Sequence, residues 1–204
     1  MTEITPTRSA VLELRVERRG MEEGYQFLDE KRLVLAAELL RELARYEQAQ
    51  AEYRGASAEA YRLLQQAAVR HGLEGLQVYP ALRARSPMLR GTSRSVLGVL
   101  VEEVTLEALW EAPVAVFASP EGEACRQAFA RLLPLAARLA GLWGNIERLS
   151  QEYLKTARRA RALEDVLLPE IDRTIVELEV ALEDLDREEA VRLRSGRAHR
   201  PETA

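Results

Sequence analysis

The sequence predicts a mainly α fold: a long antiparallel coiled-coil hairpin of N- and C-terminal helices, with a small mixed insert of short helices and a β-hairpin. Three observations predict it. Apolar residues recur at alternating steps of three and four from Val11 to Ala56. The same spacing returns from Ile146 to Leu185. Between these runs, glycine and proline cluster at Gly72, Gly75, Pro80, Pro87, Gly91, Gly98, Pro113 and Pro120. The chain is thereby read as an N-terminal helix over 1–71, an insert over 72–120, and a C-terminal helix with a tail over 121–204.

The first helix starts at Thr5-Pro6-Thr7, which offers a capping hydroxyl and a proline in the first turn. Its seam is Val11, Leu14, Arg18, Met21, Tyr25, Leu28, Arg32, Leu35, Leu39, Glu42, Tyr46, Ala49, Tyr53 and Ala56, eleven of fourteen being apolar. Leu12, Leu33, Leu40 and Leu43 widen the stripe enough to touch a third element. Gly20 and Gly24 each cost about 1 kcal/mol of helix stability, and close packing or a bend is the expected compensation.

In the insert, Ser95–Val104 and Val114–Phe117 are rich in β-branched residues and read as short strands, with a turn of helix over Leu106–Trp110. The insert is expected to be dispensable for the coiled coil and needed for partners at its far end.

Helix resumes at Glu121, with a bend or break expected at Pro134. The second seam runs Ile146, Leu149, Tyr153, Thr156, Ala160, Leu163, Leu167, Ile171, Ile175, Leu178, Leu182 and Leu185. Consecutive steps of four around Leu167–Ile175 form a stutter that coincides with Pro169. Ser195 to Ala204 reads as a frayed tail. If Leu14 packs near Leu182, residue 32 faces residue 164 to within one or two turns, bringing Lys31 and Arg32 level with Glu164 and Asp165.

Composition removes other classes. The 204 residues are 47% apolar and 30% charged, which suits a folded helical protein. A net charge of −4 gives no global bias toward nucleic acid. The basic residues are almost all arginine, Lys31 and Lys155 being the two lysines, a bias that favours ion-pair networks. Cys125 is the one cysteine, so no intrachain disulfide forms and a reducing compartment is expected. The run MTEITPTRSA lacks the apolar core of a signal peptide, and no stretch of about 18 apolar residues suggests a membrane span.

No signal for catalysis, cofactor or metal is found: there is no phosphate-binding glycine loop, His/Cys metal spacing or nucleophile elbow. His71 beside Gly72 reads as a cation suited to a helix end, His199 is isolated, and Cys125 reads as a small buried residue. Trp110 and Trp143 read as core or interface anchors. Residues 126–161 carry eight basic and two acidic side chains, whereas 164–189 carry eleven acidic and two basic ones. Each block is a solvated helix face or faces a partner of opposite sign.

Two stretches carry a family resemblance. The first is Thr5-Pro6-Thr7-Arg8, then Gly24-Tyr25, then Leu28-Asp-Glu-Lys31-Arg32. The second is Arg158-Arg159-Ala160-Arg161-Ala162-Leu163-Glu164 with Pro169 five residues on. In this order, at both ends of the chain, they resemble the D subunit of V/A-type rotary ATPases, the central rotor shaft. The family shows a Pro-Thr-Arg start, a glycine a few turns on and a Leu-Leu-Lys-x-Lys-Arg-Asp run. It then shows Arg-Arg-Val-Asn-Ala-Leu-Glu with a proline at the same distance. This chain departs at Asp29, Leu33 and Arg161, where the family has Lys, Asp and Asn. Those departures are compatible with a main-line family member and with a divergent paralogue. The resemblance covers a little over half the chain.

The resemblance implies a non-catalytic central-stalk component of a proton- or sodium-translocating ATPase or ATP synthase. It implies nucleotide-binding A and B subunits around the paired chain ends. It also implies a small stalk protein, the F subunit, and a funnel-shaped subunit on the membrane rotor at the other end. The protein would be cytoplasmic and peripheral to the membrane, with neither nucleic-acid binding nor direct membrane insertion. The partner-contact candidates it marks are Thr7, Arg8, Gly24, Lys31, Arg32, Arg158, Arg159, Leu163, Glu164 and Pro169. The competing reading is a coiled-coil adaptor or scaffold without a rotary role, which explains the heptads but not the paired motifs.

Overall fold

A computed structural model describes residues 5–77 and 79–198. Helix α1 spans Arg8–Gln77, strand β1 Arg83–Val96 and strand β2 Val99–Glu111. Helix α2 spans Pro120–Ala162, a π-helical turn Leu163–Leu167, and helix α3 Leu168–Ala198. The chain divides into two compact units: one holds the residues up to Arg32 and from Leu154 onward, the other Leu33–Tyr153.

In the first unit the two arms run antiparallel. Thr7 caps α1: its Oγ1 accepts from the Ala10 N–H at 3.2 Å, and its carbonyl accepts from the Val11 N–H. Val11, Ile171, Ile175 and Leu178 form a buried cluster, with Leu14, Met21 and Leu182 packed against it. Ion pairs Arg8–Asp186, Arg15–Glu179 and Arg18–Asp172 flank the seam. Exposed pairs of this kind add at most about 1 kcal/mol each, so the apolar cluster holds the arms and the charges select register.

The stutter at Pro169 is resolved by the π-helical turn. The Leu168 N–H donates to the Leu163 carbonyl, an i to i−5 bond. Pro169 has no N–H to offer, and its ring would crowd the carbonyl four residues earlier; the widened turn accommodates both effects. Across the arms, Arg18 meets Asp172.

Several expectations are corrected. Pro134 does not break α2, which is continuous through it, its exposed ring costing one bond in a long helix. Helix α1 is interrupted at Gly72, whose φ of 69° and ψ of 167° are non-helical, next to the boundary read at residue 71; a short helical stretch then runs to Gln77. The strands lie at 83–96 and 99–111, so Leu106–Trp110 is strand, and Val114–Phe117 belongs to neither strand. Among residues 79–119 no helix is present. The tail is helical through Ala198, and His199 to Ala204 lie outside the described residues.

In the second unit α1 and α2 also run antiparallel. Tyr46 packs on Trp143, Tyr61 meets Phe129 edge-on, and Glu52 pairs with Arg138. Helix α2 begins with a cap: Ser119 Oγ accepts from the Gly122 N–H at 3.0 Å, and Pro120 occupies the first helical position. The two strands form an antiparallel hairpin whose turn is Leu97-Gly98, both with positive φ. Such a turn follows the right-handed strand twist. A bulge between Arg85 and Met88 surrounds Pro87, which cannot donate to a ladder.

Candidate functional site

Two places bring polar side chains together, and they lie in different units. The first is the meeting of the two family-like motifs in the unit of paired arms. The second is the seat of the β-hairpin on α1 and α2.

At the motif site Gly24 faces Leu163: a Cβ added there would lie 3.9 Å from Leu163 Cδ1, an ordinary contact distance. The neighbouring Tyr25 phenol lies near Glu164. Desolvation, and then the Glu164 carboxylate, push the Tyr25 phenol above its ordinary range. Arg32 pairs with Asp29 of its own helix at 2.5 Å, and Lys31 is half-buried beside it. Tyr25, about two turns before Arg32, feels the charges of Glu164, Asp29 and Arg32. Thr7 is the cap and Arg8 pairs with Asp186. Arg158 and Arg159 are exposed on the last turn of α2, and Pro169 is half-buried in the first turn of α3. Farther along, Asp172 holds the Arg18 guanidinium above its ordinary range through a hydrogen bond and its charge.

The hairpin seat is built from the helical repeat. Leu35, Glu38, Leu39 and Glu42 share one face of α1; Gly141, Asn145, Arg148 and Leu149 share one face of α2. Leu35 and Leu149 are fully buried with Val99 and Val101 of β2, and Leu39, Val96 and Tyr153 pack against them. Gly141 allows close approach, since a Cβ there would lie 2.7 Å from Val104 Cγ2.

The polar part of the seat is fully engaged. Asn145 Oδ1 accepts from the Glu102 N–H at 2.9 Å, and its Nδ2 donates to the Glu102 carbonyl at 2.8 Å and to Glu42 Oε2 at 3.0 Å. Arg148 donates to Asn145 Oδ1 and to the Leu100 carbonyl. Glu42, 0% exposed, also accepts from Arg45 at 2.8 Å and faces Arg94 of β1 at 3.5 Å. Glu38, 5% exposed, accepts from Arg41 and from Arg94. At the hairpin base, Arg126 Nη1 donates to the carbonyls of Pro80 and Pro113, and its guanidinium lies over the Tyr79 ring. Arg126 thus ties together the two segments that lead into and out of the strands.

Sequence reasoning missed this seat. Glu42 was visible as a charge on an apolar seam. Asn145, Arg126 and Gly141 carry no periodic signal, because their partners are backbone groups of a distant segment.

Elsewhere, among the described residues, no cluster of His, Cys, Asp and Glu is arranged to hold a metal ion. Cys125 is buried, which raises its thiol above the ordinary range. His71 Nε2 lies 2.5 Å from Ser119 Oγ, linking the end of α1 to the cap of α2. Trp143 is 57% exposed and Trp110 is 38% exposed, so both act at the surface rather than in the core.

A sequence profile of the ATP synthase D-subunit family matches residues 10–197. The chain belongs to that family. It is 32% identical to the V-type ATP synthase D subunit of Thermotoga neapolitana, over 94% of this chain and 95% of the relative. It is also 32% identical to the V-type ATP synthase D subunit of Anaeromyxobacter dehalogenans over the full length of both. With the A-type ATP synthase D subunit of Thermococcus sibiricus it shares 28% identity over 96% of this chain and 94% of the relative. The D-subunit family thus accounts for the whole length of the chain, hairpin included.

Proposed function

We propose that this chain, a central-stalk component of a V/A-type rotary ATPase, is the shaft that transmits torque between the nucleotide-binding ring and the membrane rotor. The observation that carries this reading is a set of exposed aliphatic side chains on the paired arms. Leu12, Val16, Val176 and Val180 are each more than half exposed. A helix pair that already buries its seam gains nothing from leaving such residues in water, and they suit a surrounding apolar wall. The A and B subunits of the ring are the proposed wall, with Arg158, Arg159, Lys31 and Arg32 among the contacts. The small F subunit and the funnel-shaped subunit are the proposed partners of residues 33–153, where Val69, Leu73, Val114, Val116 and Phe117 are strongly exposed. No helix among the described residues is long and apolar enough to cross a membrane. The proposed location is the cytoplasmic, peripheral part of the complex, whether protons or sodium ions are moved.

A tagged chain co-expressed with the ring subunits tests this. Wild type should retain the ring, and the Leu12→Asp, Val16→Asp, Val180→Asp combination should lose it at unchanged helicity. Ring retention by that variant would overturn the assignment of the arms. The purified chain alone should not turn over ATP.

A further inference from the structure

The hairpin is held unevenly. Its base is tied by Arg126 to the carbonyls of Pro80 and Pro113. Toward its turn it is held by Val96, Val99 and Val101 on one apolar patch, by Val104 against Gly141, by Arg148 on the Leu100 carbonyl and by the Asn145–Glu42–Arg94 network. Between these attachments β1 touches little: every residue from Pro87 to Ser95 is exposed, although Arg94 reaches Glu38 and Glu42 with its guanidinium.

We propose that the hairpin is a hinged strap, anchored at Arg126 and latched at Asn145, which lifts from α1 and α2 as one piece while the helices stay paired. Three features of the molecule favour such an opening over coupled unfolding. First, the two strands bond to each other from Arg83–Glu111 to Val96–Val99, so the hairpin keeps its own ladder when lifted. Second, the latch includes a polar network beside its apolar patch. Glu42, Glu38, Asn145, Arg94 and Arg148 exchange their mutual bonds for water on opening, which offsets much of their loss. Third, α1 and α2 make independent contacts beyond the seat, at Tyr46–Trp143, Glu52–Arg138 and Tyr61–Phe129. Lifting the strap uncovers Leu35, Leu39, Leu149 and Tyr153. The inference does not depend on the rotary reading.

Amide hydrogen exchange on the full chain, read by mass spectrometry, tests the proposal. In Asn145→Ala the Glu102 backbone groups lose their partner, and Glu42 loses one of its three. Amides of 99–104 should exchange about tenfold faster than in wild type, and those of 45–65 and 168–182 at unchanged rates. Equal acceleration of all three regions would overturn the strap, as would no acceleration at 99–104. A second arm needs no variant. In wild type under sub-denaturing urea, the 99–104 amides should open with a shallower urea dependence than those of 45–65, as expected for a small unit. Coincident urea dependences would show that the hairpin opens only when the helices do, and would equally overturn it.

Discussion

Asn145 on α2 and Glu102 on β2 are joined at two points: one carboxamide accepts from the Glu102 N–H and donates to the Glu102 carbonyl. The side chain thereby does what a neighbouring strand would do for that edge of β2. A strand edge with unmet backbone groups is costly to bury, and Asn145, 1% exposed, removes that cost locally.

Gly141, one turn before Asn145, sets how near β2 can come. Gly141→Ala places a methyl 2.7 Å from Val104 Cγ2, a clash the strand relieves by moving outward. Overpacking of this kind costs about 1–3 kcal/mol. The helix gains up to about 1 kcal/mol from losing a glycine, so the net change is smaller at a site that can relax. The expected result is a lower urea midpoint for the unit of residues 33–153, with faster exchange at Val104.

Glu42 is the most buried carboxylate of the seat. Glu42→Ala removes the acceptor of Arg45, while Arg94 keeps Glu38 and the Asn145 amide keeps the Glu102 carbonyl. Both arginines are about half exposed and rehydrate, which limits the cost to about 1–3 kcal/mol rather than that of a wholly buried pair. Glu42→Gln keeps the shape and one acceptor and should lose less. Equilibrium denaturation of the three proteins gives the order wild type, Gln, Ala.

Tyr25 reports on the motif site through pH. Its phenol is raised above the ordinary range by desolvation and by Glu164, so the folded state holds the proton more tightly than the unfolded chain. The stabilisation is therefore fully present below the unfolded value of about 10 and is lost as pH rises through the folded one. Wild type should lose more stability than Tyr25→Phe between about pH 9 and 11. Equal slopes in denaturant titrations at those pH values would refute the Tyr25–Glu164 contact.

Much of the architecture was legible because coiled-coil seams write themselves locally. Val11, Leu14, Met21, Ile171, Ile175, Leu178 and Leu182 meet in one cluster because a helix returns a residue to the same face every three or four positions. The capped start of α1 was legible to within a residue or two because its bonds reach only to neighbours, but Thr7 is the cap and Pro6 precedes the helix instead of lying in its first turn. The strands were placed wrongly because β-branching was weighed above pairing. Arg83–Val96 holds arginines, serines, a glycine and a proline, and is a strand because β2 is beside it.

The sequence by itself determined that two heptad helices run antiparallel, where the chain departs from them, and that the ends carry the motifs of the D-subunit family. Those properties follow from periodicity and short-range chemistry. Only the tertiary structure decided that Arg32 pairs with Asp29 of its own helix, and that Pro169 is absorbed by a π turn instead of a break. It alone decided that Gly141, Asn145 and Glu42 form a seat for the hairpin. Each of these depends on groups distant in the chain or on which of several nearby partners a group takes. Neither changes the heptad pattern, so composition and spacing carry no trace of them.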